Sequence, residues 1–490
     1  MTSHGTTDDE PYGAQNLVAG SWRSSERTAT RTGPWTGRPA SVAAQASEIE
    51  VDEALAVAPE YARAVRALSP AARADILDRA AALVTERRDD IARHLALELG
   101  KPVKDGRGEV VRAAETLAIA AAECRTAGGD VLSTPGWQRG AGTMAMTYRA
   151  PLGVVVAITP FNAPVNLLAH KLAASFAAGN TTLVKPPPQA PAATEAFVRA
   201  LLDAGLPTYA VQVLHGDAEV GDRLTSSEVV AAISFTGSAA TGRAVARSGA
   251  GKRLVLELGG NAATIVCADA DVDDAARQCA RTGFSNSGQS CISVQRIYVH
   301  RHVADAFVER LTKEVDNLVV GDPLDESTDV GSMVDPAAAQ RVHDWAREAE
   351  SDGATIARGG SLDGSTLTPT VVVDPPADAR LLVEEAFGAV VVVRPFDDLA
   401  TVVDECNQGR YGLQAGIFTQ DITTVVDAWR ELEVGAVVVN GTSNFRLDHV
   451  PFGGVKDSGV GRESPRWMID DFTHVKTLLL KGQSVWGTGS

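Results

Sequence analysis

Short, continuously apolar runs alternate with alanine-rich stretches of helical length from about residue 150 onwards. The first runs are "GVVVAIT" (153–159), "TTLVK" (181–185), "VQVLHG" (211–216) and "VVAAISFTG" (229–237), and a second series lies between roughly 262 and 440. A strand that is apolar throughout has to be covered on both of its faces. The alternation therefore predicts an α/β chain in which helices cover both sides of parallel sheets.

The chain is too long to form a single hydrophobic core. Its 490 residues predict two or three domains. Hydrophobic residues make up 44% and charged residues 22%, as in ordinary soluble globular proteins. The net charge of −17 argues against a nucleic acid or an anionic membrane as partner, because both require a basic surface. It does not argue against a small basic pocket for an anionic metabolite.

The cysteines indicate a reducing compartment. There are five of them, an odd number, scattered without a C-x-x-C pair. This pattern predicts free thiols, with neither a disulfide framework nor a metal site. The opening "MTSHGTTDDEPY" is unlike a signal peptide, and the most apolar stretch, 152–184, is broken by proline, asparagine, histidine and lysine. We therefore expect a soluble, cytoplasmic protein with a flexible tail at residues 1–12.

Local signals also predict helices before residue 100. Ser69 has the side chain of an N-cap, and Pro70 suits the first helical position that follows it. Gly100, with Pro102 shortly after it, marks the end of this helical region.

The segment "ISFTGSAATGRA" (233–244) is typical of a strand, a glycine turn and the start of a helix. Free N–H groups at such a turn bind phosphate. A Walker A loop is excluded, because Arg243 and Ala244 stand where its lysine and hydroxyl would be. The spacing also differs from G-x-G-x-x-G, so a variant dinucleotide loop and a turn without any ligand both fit the pattern.

Three polar residues stand in surroundings that suit catalysis. Cys291 lies in "SNSGQSCIS", among small and hydroxyl-bearing residues, whereas a structural cysteine usually has apolar neighbours. Glu257 ends an apolar run in "LVLELGGN", as a solvated strand end or a desolvated general base. Asn162, in a proline-bounded turn, is either a turn residue or a donor to an oxyanion.

Together these pieces resemble the NAD(P)-dependent aldehyde dehydrogenase superfamily, over about residues 15–480. The motifs that carry the resemblance, in chain order, are "PFN" (160–162), "VKP" (184–186), "FTGS" (235–238), "ELGG" (257–260), "GQSC" (288–291), "EEAFGAV" (384–390) and "PFGGVKDSG" (451–459).

The resemblance implies the aldehyde dehydrogenase fold, with three parts. A Rossmann-like cofactor domain would comprise 13–123 and 151–258, and an α/β catalytic domain 259–468. A β-arm oligomerisation element would comprise 124–150 and 469–490. A homodimer or homotetramer is therefore expected.

The resemblance also assigns the catalytic roles. Cys291 would be the nucleophile that attacks a small-molecule aldehyde, Asn162 the oxyanion donor and Glu257 the general base. A coenzyme-A-acylating relative, which often lacks the base, is a less favoured alternative. A histidine-dependent cysteine hydrolase and a non-catalytic protein are disfavoured as well, because no histidine partner is evident and all three residues are present.

The cofactor implied by the resemblance is NAD or NADP. The expected cofactor-binding residues are Thr159, Pro160, Lys185, Gly237, Ser238, Glu385 and Phe387. Pro188 stands where many members of the family have a glutamate that binds the adenosine ribose. The choice between NAD and NADP therefore stays open.

The segments "SNFRLDHVPFGG" (443–454) and "GRESPRWMID" (461–470) resemble one branch of the family. That branch includes lactaldehyde, phosphonoacetaldehyde, glyceraldehyde-3-phosphate and succinate semialdehyde dehydrogenases. Arg107 and Arg446 are candidates for binding a phosphonate, phosphate or carboxylate head group, and interdomain ion pairs are the alternative.

Two further positions concern proton transfer. Lys171 matches a family position near the active site, although a surface lysine fits the pattern nearly as well. Arg466 stands where some members carry a second glutamate, so we expect no second acid/base carboxylate.

Overall fold

The alternating pattern folds into two large sheets that are covered by helices. The computed structural model describes residues 10–482. The predicted tail (1–12) lies outside the described residues except at positions 10–12, and Tyr12 already begins the first strand. Residues 483–490, the end of the predicted oligomerisation element, also lie outside them.

Helices account for most of the first 130 described residues and then alternate with strands. Within residues 10–482, no helix is both long and apolar enough to cross a membrane. The helices are α1 (Glu48–Ala67), α2 (Pro70–Glu86), α3 (Arg88–Leu99), α4 (Val103–Thr126), α5 (Pro164–Ala178), α6 (Pro191–Asp203), α7 (Ala218–Ser226), α8 (Ala239–Ser248), α9 (Val272–Phe284), α10 (Arg301–Asp316), α11 (Pro336–Ser351), α12 (Arg380–Val383), α13 (Leu399–Gln408), α14 (Ile422–Glu431) and α15 (Pro465–Asp471).

The strands are mostly short. They are β1 (Tyr12–Ala14), β2 (Asn16–Val18), β3 (Ser21–Arg23), β4 (Thr28–Thr32), β5 (Pro39–Ala44), β6 (Val131–Leu132), β7 (Thr143–Pro151), β8 (Val154–Ile158), β9 (Thr181–Lys185), β10 (Val211–Val213), β11 (Ala232–Thr236), β12 (Arg253–Glu257), β13 (Ala263–Val266), β14 (Arg296–His300), β15 (Thr355–Arg358), β16 (Leu362–Asp363), β17 (Thr366–Leu367), β18 (Thr370–Val373), β19 (Val390–Phe396), β20 (Tyr411–Gly412), β21 (Gln414–Phe418), β22 (Ala436–Val439), β23 (Val455–Lys456), β24 (Gly459–Val460) and β25 (Thr473–Lys481).

The first large sheet has the order β24-β12-β11-β8-β9-β10-β2-β3. Its five central strands, β8 to β12, are parallel. The chain moves from β8 to β9 and β10 in one direction, then returns to place β11 and β12 on the other side of β8. Ligands bind at the crevice that such a reversal opens at the carboxyl ends of the strands.

The second large sheet has the order β15-β18-β19-β14-β13-β21-β22. All of its strands are parallel except β15 at the edge. The predicted boundary at 258/259 falls between β12 of the first sheet and β13 of the second. One strand does not follow this division. β24 lies within the predicted catalytic segment 259–468 but pairs with β12 of the first sheet.

A third sheet stands apart from both. β7 pairs with β6 on one side and with the whole of β25 on the other. Its strands belong to the two segments that were expected to form the oligomerisation element, 124–150 and 469–490, apart from Pro151 at the end of β7. These two distant segments of the chain therefore form one antiparallel arm.

The predicted start and end signals of the early helices are confirmed. The Ser69 side chain accepts a hydrogen bond from the Ala72 N–H, and Pro70 begins α2. Gly100 ends α3 in the left-handed conformation, with φ of 71°. Each signal acts through local backbone geometry, so the sequence alone was sufficient to locate it.

Gly331 marks a close approach between two distant backbone segments. A methyl group at this position would overlap the carbonyl oxygen of Gly100. Gly331→Ala is expected to destabilise the protein by about 1–3 kcal/mol, because the backbone must move to relieve the overlap. The measurement is the midpoint of thermal unfolding, which should fall.

Gly108→Ala is the matched control for this substitution. Gly108 lies within α4, and a methyl group there would meet no heavy atom within 4 Å. Alanine has the higher helix propensity, so this variant should gain about 0.5–1 kcal/mol. Equal shifts in the two variants would contradict the close approach at Gly331.

Candidate active site

The carboxyl ends of the central strands of the first sheet bring several candidate residues to one edge. Thr159 follows β8, Lys185 ends β9, Gly237 follows β11 and Glu257 ends β12. Asn162 lies in the loop between β8 and α5. Because these strands are parallel and adjacent, residues separated by about 100 positions in the chain meet at the crevice.

Cys291 follows a turn with unusual backbone geometry. Asn286, Ser287 and Gly288 all have positive φ, at 49°, 55° and 70°. Two successive non-glycine residues in this region store conformational strain, which the surrounding structure must hold in place. The Ser287 hydroxyl donates to the carbonyl of Gly331 at 2.9 Å. These contacts fix the backbone that leads to the thiol.

Gly288 is required at this turn for two reasons. Its φ is left-handed, and a side chain there would overlap the carbonyl oxygen of Gly388. Phe387, next to Gly388, also has positive φ, at 48°. The cysteine turn and the loop that carries Glu385 and Phe387 are therefore packed backbone against backbone.

Cys291 is the one partly exposed cysteine, and the other four are buried. It packs against the apolar side chains of Ile292, Leu413 and Phe452. Burial of the sulfur, together with the nearby carboxylates of Glu385 and Glu257, raises the pKa of Cys291 to about 12. The resting group is therefore a thiol, which must lose a proton before it can act as a nucleophile.

Asn162 lies beside the cysteine turn. Its Nδ2 donates to the carbonyl of Gln289 at 3.0 Å. Its main-chain carbonyl oxygen accepts from Lys101 Nζ at 2.6 Å and from Asn286 Nδ2 at 3.2 Å. An amide NH2 has two hydrogens, so this arrangement leaves the second one for a ligand oxygen near Cys291.

Glu257 has no hydrogen-bond partner for either carboxylate oxygen within residues 10–482, although only 3% of the residue is exposed. Burial, and then the neighbouring Glu463, raise the pKa of Glu257 well above its usual range. A raised pKa makes a carboxylate a stronger proton acceptor than an exposed one. This resolves the alternative left open by the sequence, because Glu257 is not a solvated strand end.

Lys171 and Glu463 form an ion pair at 2.9 Å, and both side chains are completely buried. The Lys171 ammonium also donates to the Thr236 hydroxyl at 2.7 Å. The sequence left Lys171 between the active site and the surface, and the structure places it in the interior. A second carboxylate, Glu463, does lie beside Glu257. Despite its burial, the charges of Lys171 and Arg446 lower the pKa of Glu463 to about 2, so the expectation of no second acid/base carboxylate stays a prediction.

Arg446 lies close to these groups. Its guanidinium contacts Glu463 at 2.9 Å and packs 4.1 Å from the ring centre of Phe452, which itself packs on Cys291. Only 8% of its side chain is exposed. The structure therefore brings Arg446 to the neighbourhood of the thiol, as the resemblance implied.

Arg107 does not join this group. Its guanidinium bonds Asp89 and Glu326, both at 2.6 Å, and both carboxylates are largely exposed. Asp105, two residues earlier on α4, faces the cysteine turn and accepts from the Asn286 N–H. Positions two apart on a helix point in nearly opposite directions, so Arg107 faces away from the turn. The assignment of Arg107 to a substrate is therefore corrected to a surface ion pair.

Arg112 is the arginine of α4 that the sequence analysis missed. It forms two parallel hydrogen bonds to Asp448, at 2.9 and 2.7 Å. The same carboxylate contacts His170 at 3.0 Å and Arg446 at 3.5 Å. The sequence did contain a signal for buried charged partners, because His170 and Lys171 are polar residues within the largely apolar helix α5.

The residues expected to bind the cofactor fit a dinucleotide. Ser238 caps α8, whose first N–H groups face the crevice side of the sheet and suit a pyrophosphate. Lys185 is buried, its Nζ bonds the carbonyl of Pro186, and burial lowers its pKa to about 8. The hydroxyl of Thr159 is buried without a hydrogen-bond partner in the described part of the chain. A ligand with hydroxyl and phosphate groups would satisfy all three.

Glu385 and Phe387 lie on the other side of the crevice. Glu385 accepts from the Gly260 N–H at 2.8 Å, and burial raises its pKa to about 7. Phe387 packs edge-on against Phe161, with ring centres 5.8 Å apart. The remaining cofactor candidate, Pro160, precedes Phe161 and Asn162 in the loop between β8 and α5.

The high pKa of Cys291 predicts slow alkylation that a change at Glu385 should accelerate. Glu385→Gln removes the carboxylate that most opposes the thiolate, so labelling by iodoacetamide at about pH 8 should become faster. Each unit by which the pKa falls gives roughly tenfold more thiolate. The measurement is the labelling rate of the Cys291 peptide by mass spectrometry.

Glu384→Gln is the control, because this neighbouring carboxylate is paired with Arg410 and half-exposed. It should leave the labelling rate unchanged. If both substitutions gave the same rate as the parent protein, the electrostatic account of Cys291 would be incorrect.

Comparison with known proteins agrees with this geometry. Residues 22–478 match the model of the aldehyde dehydrogenase family. The chain is 41% identical to 3-sulfolactaldehyde dehydrogenase of Priestia megaterium over 485 residues, which cover 98% of this chain and 100% of that protein.

Two solved structures are also similar. Aldehyde dehydrogenase 21 of Physcomitrella patens, in complex with the reaction product succinate, is 34% identical with a TM-score of 0.94, covering 97% of this chain and 100% of that one. Glyceraldehyde-3-phosphate dehydrogenase GapN of Methanocaldococcus jannaschii, complexed with NADP, is 33% identical with a TM-score of 0.89, covering 93% and 100%. The chain therefore belongs to the aldehyde dehydrogenase family and is an NAD(P)-dependent aldehyde dehydrogenase.

Proposed function

We propose that the protein oxidises a small aldehyde with an anionic head group to the carboxylic acid. The observation that carries this proposal is the convergence of Cys291, Asn162 and Glu257, with a buried arginine, Arg446, beside them. The first three groups suit covalent aldehyde chemistry. The arginine suits an anion at the far end of a short substrate.

Each catalytic group has a distinct task in the proposed reaction. The Cys291 thiol first releases its proton to water, and the resulting thiolate attacks the aldehyde carbon. The N–H of Asn162 that does not bond Gln289 donates to the oxygen that becomes negative. Bound NAD(P) would supply the acceptor for the hydride that leaves this carbon. Glu257 takes a proton from water, and the resulting hydroxide releases the acid from Cys291.

The state of Glu257 supports hydrolysis over transfer to coenzyme A. A water molecule must lose a proton next to the Cys291 adduct, and this requires a general base that binds the proton more strongly than an exposed carboxylate does. Glu257 is buried, has no hydrogen bond from residues 10–482 and has a raised pKa. We therefore keep the acylating reaction only as the alternative outcome of the test.

The anionic head group is supported by Arg446 and by the relatives. The names of the three similar proteins refer to sulfolactaldehyde, succinate and glyceraldehyde-3-phosphate, each of which carries a negative charge. A sulfonate is therefore a further candidate for the head group, besides the carboxylate and phosphate predicted from the sequence. None of these three names refers to a phosphonate.

The proposed chemistry is tested by the absorbance of NADH or NADPH formed from a panel of small aldehydes. The panel contains sulfolactaldehyde, sulfoacetaldehyde, succinate semialdehyde, lactaldehyde and propanal, each with and without coenzyme A. Cys291→Ser should abolish turnover, and Asn162→Ala should lower kcat by about 10²- to 10³-fold. Undiminished turnover by Cys291→Ser, or turnover that depends on coenzyme A, would contradict the proposal.

The head-group role is tested by Arg446→Gln. Loss of a charged hydrogen bond should lower kcat/KM for the anionic aldehydes by about 10- to 100-fold more than for propanal. Arg301→Gln is the matched control, because Arg301 makes a bidentate pair with Asp397 on the surface. If Arg446→Gln lowered kcat/KM equally for charged and uncharged aldehydes, Arg446 would have only a structural role.

We also propose that the protein is a homodimer or homotetramer that assembles through the arm of β6, β7 and β25. Leu478, Leu479 and Leu480 are consecutive on β25 and are all exposed, at 49%, 60% and 36%. Consecutive strand residues point to opposite faces, so apolar side chains are uncovered on both faces. A second copy of the same arm would cover them and the free strand edge.

Leu479→Lys should shift the protein towards the monomer, because it places a charge within the covered surface. Multi-angle light scattering after size-exclusion chromatography measures the mass. Ile49→Lys is the control, since Ile49 is 79% exposed on α1, away from the arm. A monomeric parent protein, or an unchanged mass in Leu479→Lys, would contradict this assembly.

A further inference from the structure

Asp448 holds a central place among the charged groups near Arg446, and the proposed reaction does not use it. Arg112 donates two hydrogen bonds to this carboxylate, and His170 contacts it at 3.0 Å. The Asn166 amide lies 3.4 Å away and Arg446 3.5 Å away. Only 4% of the Asp448 side chain is exposed.

These contacts keep Asp448 both charged and immobile. Burial alone would raise its pKa, but the contact with His170 and the hydrogen bonds from Arg112 hold the pKa well below its usual range. His170 is itself uncharged, because burial and then the charge of Arg446 lower its pKa. A carboxylate held from several sides cannot rotate away when a ligand enters.

The head-group cluster is defined here as the five charged residues that are linked by ion pairs around Arg446. Glu463 contacts both Lys171 and Arg446, at 2.9 Å each. Asp448 contacts both Arg112 and Arg446. The cluster thus contains three cations and two carboxylates, with a net charge of +1, and its members are Arg112, Lys171, Arg446, Asp448 and Glu463.

Two other charged groups nearby, Glu109 and Arg462, lie outside the cluster as it is defined. Glu109 is paired with Lys101. Arg462 bonds the carbonyls of Gly454 and Gly461 and belongs with Glu257 at the catalytic end.

Within the head-group cluster, Arg446 is the cation whose charge is least compensated by the carboxylates. Its Nε is buried and has no hydrogen-bond partner among the described residues, since Asp448 is too far away for a good bond. In contrast, the Nε and one Nη of Arg112 are already bonded to Asp448. A ligand anion would therefore be neutralised by Arg446, with little further charge available from Arg112.

We propose that Asp448 restricts this site to head groups with a single negative charge. The site would then select sulfonates and carboxylates over the dianionic forms of phosphates and phosphonates. This inference rests on the proposed function, because it names the class of head group that the same site accepts.

The physical reason is the cost of an unbalanced charge in a buried site. One negative charge on the ligand brings the cluster to neutrality. A second one leaves an excess negative charge with little water to solvate it, next to the fixed carboxylate of Asp448. Like charges brought together in this way oppose binding strongly.

The test compares aldehydes that differ mainly in the charge of the head group. Sulfoacetaldehyde and succinate semialdehyde are monoanions. Phosphonoacetaldehyde is a dianion at about pH 8.5, which lies above the pH at which a phosphonate, like a phosphate, loses its second proton. The parent enzyme should show kcat/KM for sulfoacetaldehyde at least about tenfold above that for phosphonoacetaldehyde. The succinate semialdehyde arm distinguishes a carboxylate from a sulfonate as the preferred monoanion.

Asp448→Asn removes the negative charge and keeps the shape of the side chain. It should raise the ratio of phosphonoacetaldehyde to sulfoacetaldehyde kcat/KM by about tenfold or more. The ratio is taken within one variant, so a general loss of activity or of folded enzyme cancels. Asp397→Asn is the matched control, because Asp397 makes the same bidentate pair with an arginine on the surface and should leave the ratio unchanged.

Arg112→Gln provides a second variant in case Asp448→Asn does not fold. It lowers the net charge of the cluster from +1 to 0 and leaves Asp448 without its bidentate partner. The ratio of sulfoacetaldehyde to propanal kcat/KM should fall by about tenfold or more. An unchanged ratio would contradict the charge balance.

The outcomes separate this inference from the proposed function. If the parent enzyme oxidises propanal as well as it oxidises every anionic aldehyde, the proposed head group itself is wrong. If it accepts sulfonate and dianionic phosphonate equally, or if Asp448→Asn leaves their ratio unchanged, the anionic substrate stands and the role of Asp448 is overturned.

Discussion

The site depends on a strained turn that is held between two parts of the chain. Asn286, Ser287 and Gly288 are all left-handed, a conformation that an isolated peptide would leave. Contacts with Gly331 and with the backbone of Gly388 hold it. The position of the Cys291 sulfur relative to Asn162 and Glu257 is therefore a consequence of how the second half of the chain packs around the turn.

Electrostatic balance is the second constraint. The interior near Cys291 contains several ionisable groups that burial alone would neutralise. Lys171 forms an ion pair with Glu463, and Arg112 forms one with Asp448. Glu257 has no such partner, and its raised pKa is the result. The residues of the two ion pairs could therefore orient a substrate, whereas Glu257 could transfer protons.

Sequence and structure agree best where the signal is local or repetitive. The apolar runs gave the strands of both sheets, and Ser69 and Gly100 gave the ends of helices through backbone geometry alone. The motifs identified Cys291 and Glu257 because residue type and immediate neighbours carry the information. Arg107 was misplaced because a position on α4 does not reveal which face of the helix meets the crevice, and Arg112 is on that face.

The sequence by itself determined the α/β alternation, the family and the identity of the candidate catalytic residues, since each follows from short patterns. Only the tertiary structure decided which charges neighbour one another. Glu463, Asp448 and Arg112 are separated from Lys171 and His170 by tens to hundreds of positions, and they meet because parallel strands and α5 bring their ends together. Burial and pairing then set the charge of each group, and these are properties of the folded interior that no stretch of sequence contains.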